Sequence, residues 1–231
     1  MKKTLIMLLI ITSFINATSF SKSKKILTKK IYYDNQNTFY CNNPYKQQKV
    51  NKRYKTLIIP NDDFYTPRKK YYKSGKINTR AKRVEWEHVM PAYNFGRQLK
   101  CWQNGGRKAC KKDKLFKKME ADMHNLVPAI GEVNANRSNY RYGAGSPKVG
   151  QYGKCMVQVD FKGKKAYVSD DIKGDIARIY FYMSERYNVK LSKRDIKMFK
   201  IWNKQDPISK WEKIKNKRVY KLQGNKNRFI N

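Results

Sequence analysis

Glu85, Trp86, Glu87 and His88 are consecutive, and they set two carboxylates beside an imidazole in a chain whose only other histidine is His124. Such a group suits hydrolysis of a phosphodiester. That reaction needs a base to take a proton from water, a cation to neutralise charge on the phosphate, and a proton source for the departing oxygen. A carboxylate exposed there favours a hard cation such as Mg2+, which takes oxygen ligands and keeps several waters. His88, with an ordinary pKa of about 6.5, suits proton abstraction close to neutral pH. The same four residues also read as a strand whose histidine packs into a core and whose glutamates offset nearby lysines. The tetrapeptide by itself leaves both readings open.

Positioning these groups falls to the segments around them. Arg83 to Val89 alternates charged and apolar residues and stops before Pro91, which predicts a short strand. Neighbours on a regular strand point to opposite faces, so Glu87 and His88 can meet one phosphate only if the strand end is irregular. Ala92 to Trp102 is expected to be helical, as are Lys114 to Asn125 and Val127 to Asn136, with a break near Pro128. Asn42 to Lys82 carries Pro60, Pro67 and Gly75 among lysines and tyrosines, and predicts strands or irregular loops. Met156 to Phe161 and Lys165 to Val168 read as a hairpin about Lys162 and Gly163. The remainder is helical. Ile176, Ile179, Tyr180, Met183 and Tyr187 fall at helical spacing, and Ser192 and Ser209 open two further helices, the second ending at Gly224.

The whole chain narrows the partners. Lysine and arginine number 53 against 17 acidic residues, a formal charge of +36, so the surface must seek polyanions: nucleic acid, anionic membrane or acidic polysaccharide. Lys2 and Lys3 precede the apolar run Leu5 to Ile11 and small residues follow at Ala17 and Ser19, the pattern of a signal peptide over residues 1–17. That run is too short to span a bilayer, so no membrane anchor is expected. Residues 18–37 are lysine-rich and read as a solvated basic arm, with order beginning near Thr38 and one domain over residues 38–231. The four cysteines are an even number in an exported chain and predict two disulfides. Zinc is disfavoured because no C-x-x-C occurs and histidines are few.

Longer blocks carry a resemblance. Arg83-Val84-Glu85-Trp86-Glu87-His88-Val89-Met90-Pro91-Ala92, Cys101-Trp102-Gln103-Asn104-Gly105-Gly106-Arg107-Lys108, Met119 to Leu126 and Gly131-Glu132-Val133-Asn134-Ala135-Asn136-Arg137 closely resemble the endonuclease I family of periplasmic and secreted bacterial nucleases. The likeness continues through Gly150 to Gly153, Ala177 to Met183 and Gln223 to Asn225, and so spans most of the chain from about Phe39 to Asn227.

The resemblance implies an α+β fold, a single mixed domain with a ββα-metal motif and a helical C-terminal half. His88 matches the family's general base, and Glu87 and Asn134 match the side chains that bind one Mg2+. Arg107 matches an arginine at the phosphate, and Glu120 a nearby acid that orients Arg107 or a water. The expected pairing of cysteines is Cys101 with Cys110 and Cys41 with Cys155, the first closing a short loop around Arg107. His124 is assigned a structural role. The implied activity is sequence-nonspecific cleavage of DNA, and of RNA by extension, to 5′-phosphate and 3′-hydroxyl ends, by a monomer in the periplasm or medium.

Two departures stand out. Better-known members carry more cysteines, and Pro44 to Lys82 matches poorly, so no substrate contacts can be transferred there. A rival reading is a noncatalytic cationic protein that coats nucleic acid or anionic membrane, which accounts for charge and export but not for the matching blocks. A metal-free ribonuclease using His88 with His124 is a second rival.

Overall fold

The computed structural model describes residues 19–50 and 53–231. The leader expected over residues 1–17 lies outside them.

The chain enters with α1 (Phe20–Ile26), capped by the Ser19 hydroxyl, which accepts from the Lys22 N–H. It runs on as a wider π-helical turn over Leu27–Ile31. The expectation of a solvated arm here is wrong. Leu27, Ile31 and Tyr32 are buried against Met123, Leu126 and Val219, and the buried Ser23 hydroxyl donates to the Ala121 carbonyl at 2.6 Å. Lysines between these positions mask an apolar stripe in which Phe20, Leu27 and Ile31 share one face, so the segment is amphipathic rather than unstructured.

An exposed hairpin follows, β1 (Tyr45–Val50) paired antiparallel with β2 (Arg53–Ile58). An irregular stretch then leads to β3 (Val84–His88). Four short helices come next: α2 (Ala92–Gly96), α3 (Lys100–Gln103), α4 (Gly106–Cys110) and α5 (Lys114–Ala121). The single helix expected over Ala92–Trp102 is therefore broken. The Trp102 indole folds back onto Gly96, where a Cβ would come within 2.2 Å of it, and a continuous helix could not bring the two together.

β4 (Leu126–Ile130) pairs antiparallel with β3, His88 opposite Leu126 and Val84 opposite Ile130. It feeds directly into α6 (Gly131–Arg137). The helix expected from Val127 is thus a strand for its first part. All of β4 is buried, so it lacks the alternation that marks a half-exposed strand. β3, β4 and α6 together form the strand-strand-helix unit implied by the resemblance.

A third sheet holds β5 (Arg141–Tyr142), β7 (Val157–Asp160) and β8 (Lys165–Val168) in the order β5-β8-β7, with the short β6 (Gln151–Lys154) between β5 and β7 in sequence. β7 and β8 are the hairpin expected around Lys162 and Gly163. Three long helices complete the fold: α7 (Lys173–Tyr187), α8 (Lys193–Gln205) and α9 (Lys210–Gln223). Ser192 caps α8, and Ser209 with Glu212 forms a reciprocal box at α9, which ends at Gly224 in the left-handed region. The chain is mixed α+β with a helical C-terminal half, and among the described residues no helix is long and apolar enough to cross a membrane.

Buried polar links hold the helical half together and tie it to the segment that leads into β4. Arg178 of α7 donates to both oxygens of Glu212 in α9 at 2.6 and 2.7 Å. Asp122, just before β4, accepts from Tyr182 at 2.6 Å, Tyr187 at 2.7 Å and Gln223 at 2.8 Å. Cys41 is bridged to Cys155 and Cys101 to Cys110.

Candidate active site

β3 presents its residues alternately to two faces. Glu85 and Glu87 face α6, and His88 points the other way, toward α5 and α1. The strand is regular through His88, its last residue, so Glu87 and His88 leave it on opposite faces, and one phosphate could meet both only across the end of β3.

Glu87 is 4% exposed. Its Oε1 accepts from Arg137 Nη1 at 2.9 Å and from the Tyr40 hydroxyl at 3.2 Å. Desolvation outweighs the arginine's attraction and pushes the carboxyl pKa up to about 7. Arg137, 1% exposed, also donates to the backbone carbonyls of His88 at 3.1 Å and Val89 at 2.7 Å. One guanidinium thereby clamps the end of β3 to α6.

His88 is 8% exposed. Its Nε2 lies 2.8 Å from the Glu120 carbonyl oxygen. A carbonyl can only accept, so Nε2 carries the proton and Nδ1 is left with the lone pair. Burial pushes the imidazole pKa down to about 4, with the Arg107 charge acting in the same direction and the Glu120 carbonyl opposing it. The ring is neutral at physiological pH and already in the tautomer a base requires. Phe20 lies against it with ring centroids 4.9 Å apart.

Arg107 reaches Glu120 with Nε at 3.0 Å and Nη2 at 2.7 Å, both on Oε1. Half of the Arg107 side chain stays exposed, leaving donors free for an anion. The Cys101–Cys110 bridge spans nine residues and encloses this arginine. Glu120 therefore touches two expected site residues, Arg107 through its carboxylate and His88 through its backbone.

Asn134 sits on α6, three residues before Arg137, and its Nδ2 donates to Glu85 Oε2 at 3.1 Å. The facing pairs across β3 and α6 are thus Glu85 with Asn134 and Glu87 with Arg137. Glu85 and Asn134 border a cleft of about 1100 Å³, walled by Lys24 and Lys25 of α1 and Lys29 of the π-helical turn on one side and by Gln47, Tyr54 and Thr56 of the β1–β2 hairpin on another.

A continuous path of contacts therefore runs from Arg107 through Glu120 to His88, along the chain to Glu87, across to Arg137 and up α6 to Asn134 and Glu85. All five expected residues lie on it. Sequence reading missed Arg137, Tyr40 and the walls of the cleft. The spacing of Asn134 and Arg137, three apart on one helix, was the available signal for the clamp. His124 does not join the path: its Nε2 meets the Asn225 carbonyl at 2.9 Å and its ring packs on Tyr182.

Among the described residues no cluster of three or more His, Cys, Asp or Glu is placed to hold a metal ion. A carboxylate and an amide oxygen from Glu87 and Asn134 do fit a hard cation that keeps most of its waters. Desolvation holds the Glu87 carboxyl pKa up even with Arg137 against it, and a divalent ion beside it would favour the charged form further.

The model of the family described as Endonuclease I matches residues 18–231. An endonuclease-1 of Buchnera aphidicola subsp. Acyrthosiphon pisum is 44% identical over 208 residues, 89% of this chain and 78% of that protein. A periplasmic deoxyribonuclease of Aeromonas hydrophila is also 44% identical, over 93% of this chain and 86% of its own. An extracellular ribonuclease of Bacillus subtilis is 32% identical over 127 residues, 47% of this chain and 43% of its own.

Proposed function

The chain belongs to the endonuclease I family, and from that premise we propose that it is a periplasmic or secreted endonuclease, dependent on Mg2+, that hydrolyses DNA and RNA without regard to sequence. The observation that carries the reading is the 2.8 Å contact of His88 Nε2 with the Glu120 carbonyl, from which the tautomer follows. It supports a base that takes a proton from water through Nδ1.

Glu87 and Asn134 would hold one Mg2+, which when bound supplies positive charge at the scissile phosphate and acidity for the leaving oxygen. The chain's own residues do the rest. His88 accepts the proton of the attacking water, and its low pKa keeps it unprotonated beforehand. Arg107 donates to nonbridging oxygens with the guanidinium edge that Glu120 leaves free, and Glu120 keeps it aimed. Arg137 holds β3 against α6 so that Glu87 and Asn134 keep their spacing.

Lysines of α1 draw the backbone into the cleft, and contacts to phosphate carry no direct base information, so cleavage is nonspecific. Attack opposite the 3′ oxygen leaves 5′-phosphate and 3′-hydroxyl ends. RNA enters the reading through the ribonuclease named among the relatives, which matches about half of the chain. The names of the relatives and the leader-like N-terminus support export. Digestion of plasmid DNA and of single-stranded RNA, with Mg2+ and with EDTA, tests the proposal. Smearing of both in Mg2+ and neither in EDTA is expected, and cutting that survives the chelator contradicts the metal requirement.

A further inference from the structure

Glu85 is held from four sides. Arg80 donates to it through Nε at 3.0 Å and Nη2 at 2.5 Å, Arg83 through Nε at 2.9 Å and Nη2 at 2.6 Å, and Asn134 through Nδ2 at 3.1 Å. The fourth side is the first residue of α6. A Cβ on Gly131 would stand 3.0 Å from the Glu85 carboxyl carbon and 2.8 Å from the Arg80 carbonyl oxygen, so the helix can start there only without a side chain.

We infer that Glu85 is a positioning residue that fixes the Asn134 amide, turning its nitrogen inward so that Oδ1 faces the ion. The inference rests on the assignment of Asn134 as a metal ligand. A carboxylate only accepts hydrogen bonds, so the amide edge that meets it must be NH2, and the oxygen edge is left on the other side. An unrestrained amide can present either edge, and the nitrogen edge repels a cation. Glu85 also offsets part of the positive charge that Arg80 and Arg83 bring to this face of β3.

A purely structural role makes a different prediction. Arg80 and Arg83 are 37% and 46% exposed, and ion pairs so open to solvent contribute little to stability. Loss of Glu85 should therefore leave the fold nearly as stable while it releases the amide.

Calorimetric titration of Mg2+ into wild type, Glu85→Ala, Gly131→Ala and Asn134→Ala, without nucleic acid, tests this. Glu85→Ala should bind Mg2+ about 10- to 100-fold more weakly, as loss of a group that orients a ligand does, with a urea midpoint close to wild type. Gly131→Ala, which displaces the carboxylate and leaves it in place chemically, should weaken binding in the same direction. Excess Mg2+ should restore the cleavage rate of both. If both bind within about two-fold of wild type while Asn134→Ala is impaired, Glu85 does not position the amide. If Asn134→Ala itself binds like wild type, the ligand assignment falls and this inference with it.

Discussion

Mg2+ binding should carry a proton signature set by the burial of Glu87. In the metal-free protein its carboxyl pKa lies at about 7, raised from 4.5 mainly by desolvation. Ligation needs the carboxylate, so below that pH each ion bound must displace a proton. With one such group the apparent affinity scales as the deprotonated fraction, which is nearly complete at pH 8, about one in eleven at pH 6 and about one in a hundred at pH 5. Between pH 8 and pH 5 the affinity should fall about ninety-fold, equivalent to about 2.7 kcal/mol. His88 adds little over this range, because its pKa of about 4 keeps it neutral.

The stability linkage has the matching sign. A carboxyl raised from 4.5 to about 7 stabilises the metal-free fold fully below pH 4.5 and loses that contribution as pH rises through 7. Saturating Mg2+ should therefore stabilise the fold more at pH 8 than at pH 5. Calorimetry at pH 5, 6, 7 and 8, repeated in buffers of different ionisation enthalpy, gives both the affinity and the number of protons released. Close to one proton is expected below pH 6.5 and close to none at pH 8, with Glu87→Gln binding weakly and without slope. An affinity that is flat from pH 8 to pH 5 would refute the assignment of Glu87 as a buried ligand.

Four further outcomes follow from named contacts. His88→Ala should lower single-turnover plasmid cleavage by about 10²- to 10⁴-fold, with affinity for DNA in EDTA, read by fluorescence anisotropy, unchanged. Leu27→Ala should cost about 2–5 kcal/mol in urea unfolding, because the side chain is fully buried; a change within about 0.5 kcal/mol would restore the solvated-arm reading. Replacing Cys41 and Cys155 by serine opens a loop of 114 residues, and replacing Cys101 and Cys110 one of 9. The first should cost about 5 kcal/mol and the second about half that by loop entropy, measured in guanidinium. Changing Lys24, Lys25 and Lys29 together to alanine should make the salt dependence of duplex binding shallower by up to about 2.7 in log–log slope, and an unchanged slope would remove α1 and the π-helical turn from the binding surface.

Legibility in the sequence followed the range of the interaction that fixes each feature. Lys162 with Gly163, and Ser209 with Glu212, act on neighbours a few residues away, so the β7–β8 hairpin and the start of α9 were readable. Pro128 in a fully buried strand offered neither alternation nor a helical stripe, and the pattern favoured helix because nothing local marks a strand covered on both faces. The entry helix was hidden by its lysines. Its apolar face is recognisable only against Met123 and Val219, which lie about a hundred residues or more downstream.

The site divides in the same way. Glu87 and His88 stood out as a neighbouring acid and imidazole, whereas Arg107, Glu120 and Asn134 were found through resemblance of whole blocks, because no local spacing links them to that pair. Their detailed pairing was not legible: Asn134 meets Glu85, 49 residues earlier, while Glu87 meets Arg137, 50 residues later. Which carboxylate faces which helical residue depends on the register of β3 against β4 and on the angle at which α6 leaves Ile130. Both are tertiary quantities.

Crystals grown with Mn2+ in place of Mg2+, examined by anomalous scattering, test the central claim most directly. A single peak about 2.0–2.3 Å from a Glu87 carboxylate oxygen and from Asn134 Oδ1 is predicted, with a water beside it within hydrogen-bonding reach of His88 Nδ1. A peak elsewhere, or an Nδ1 sealed beneath Phe20 with no water to reach it, would contradict the account.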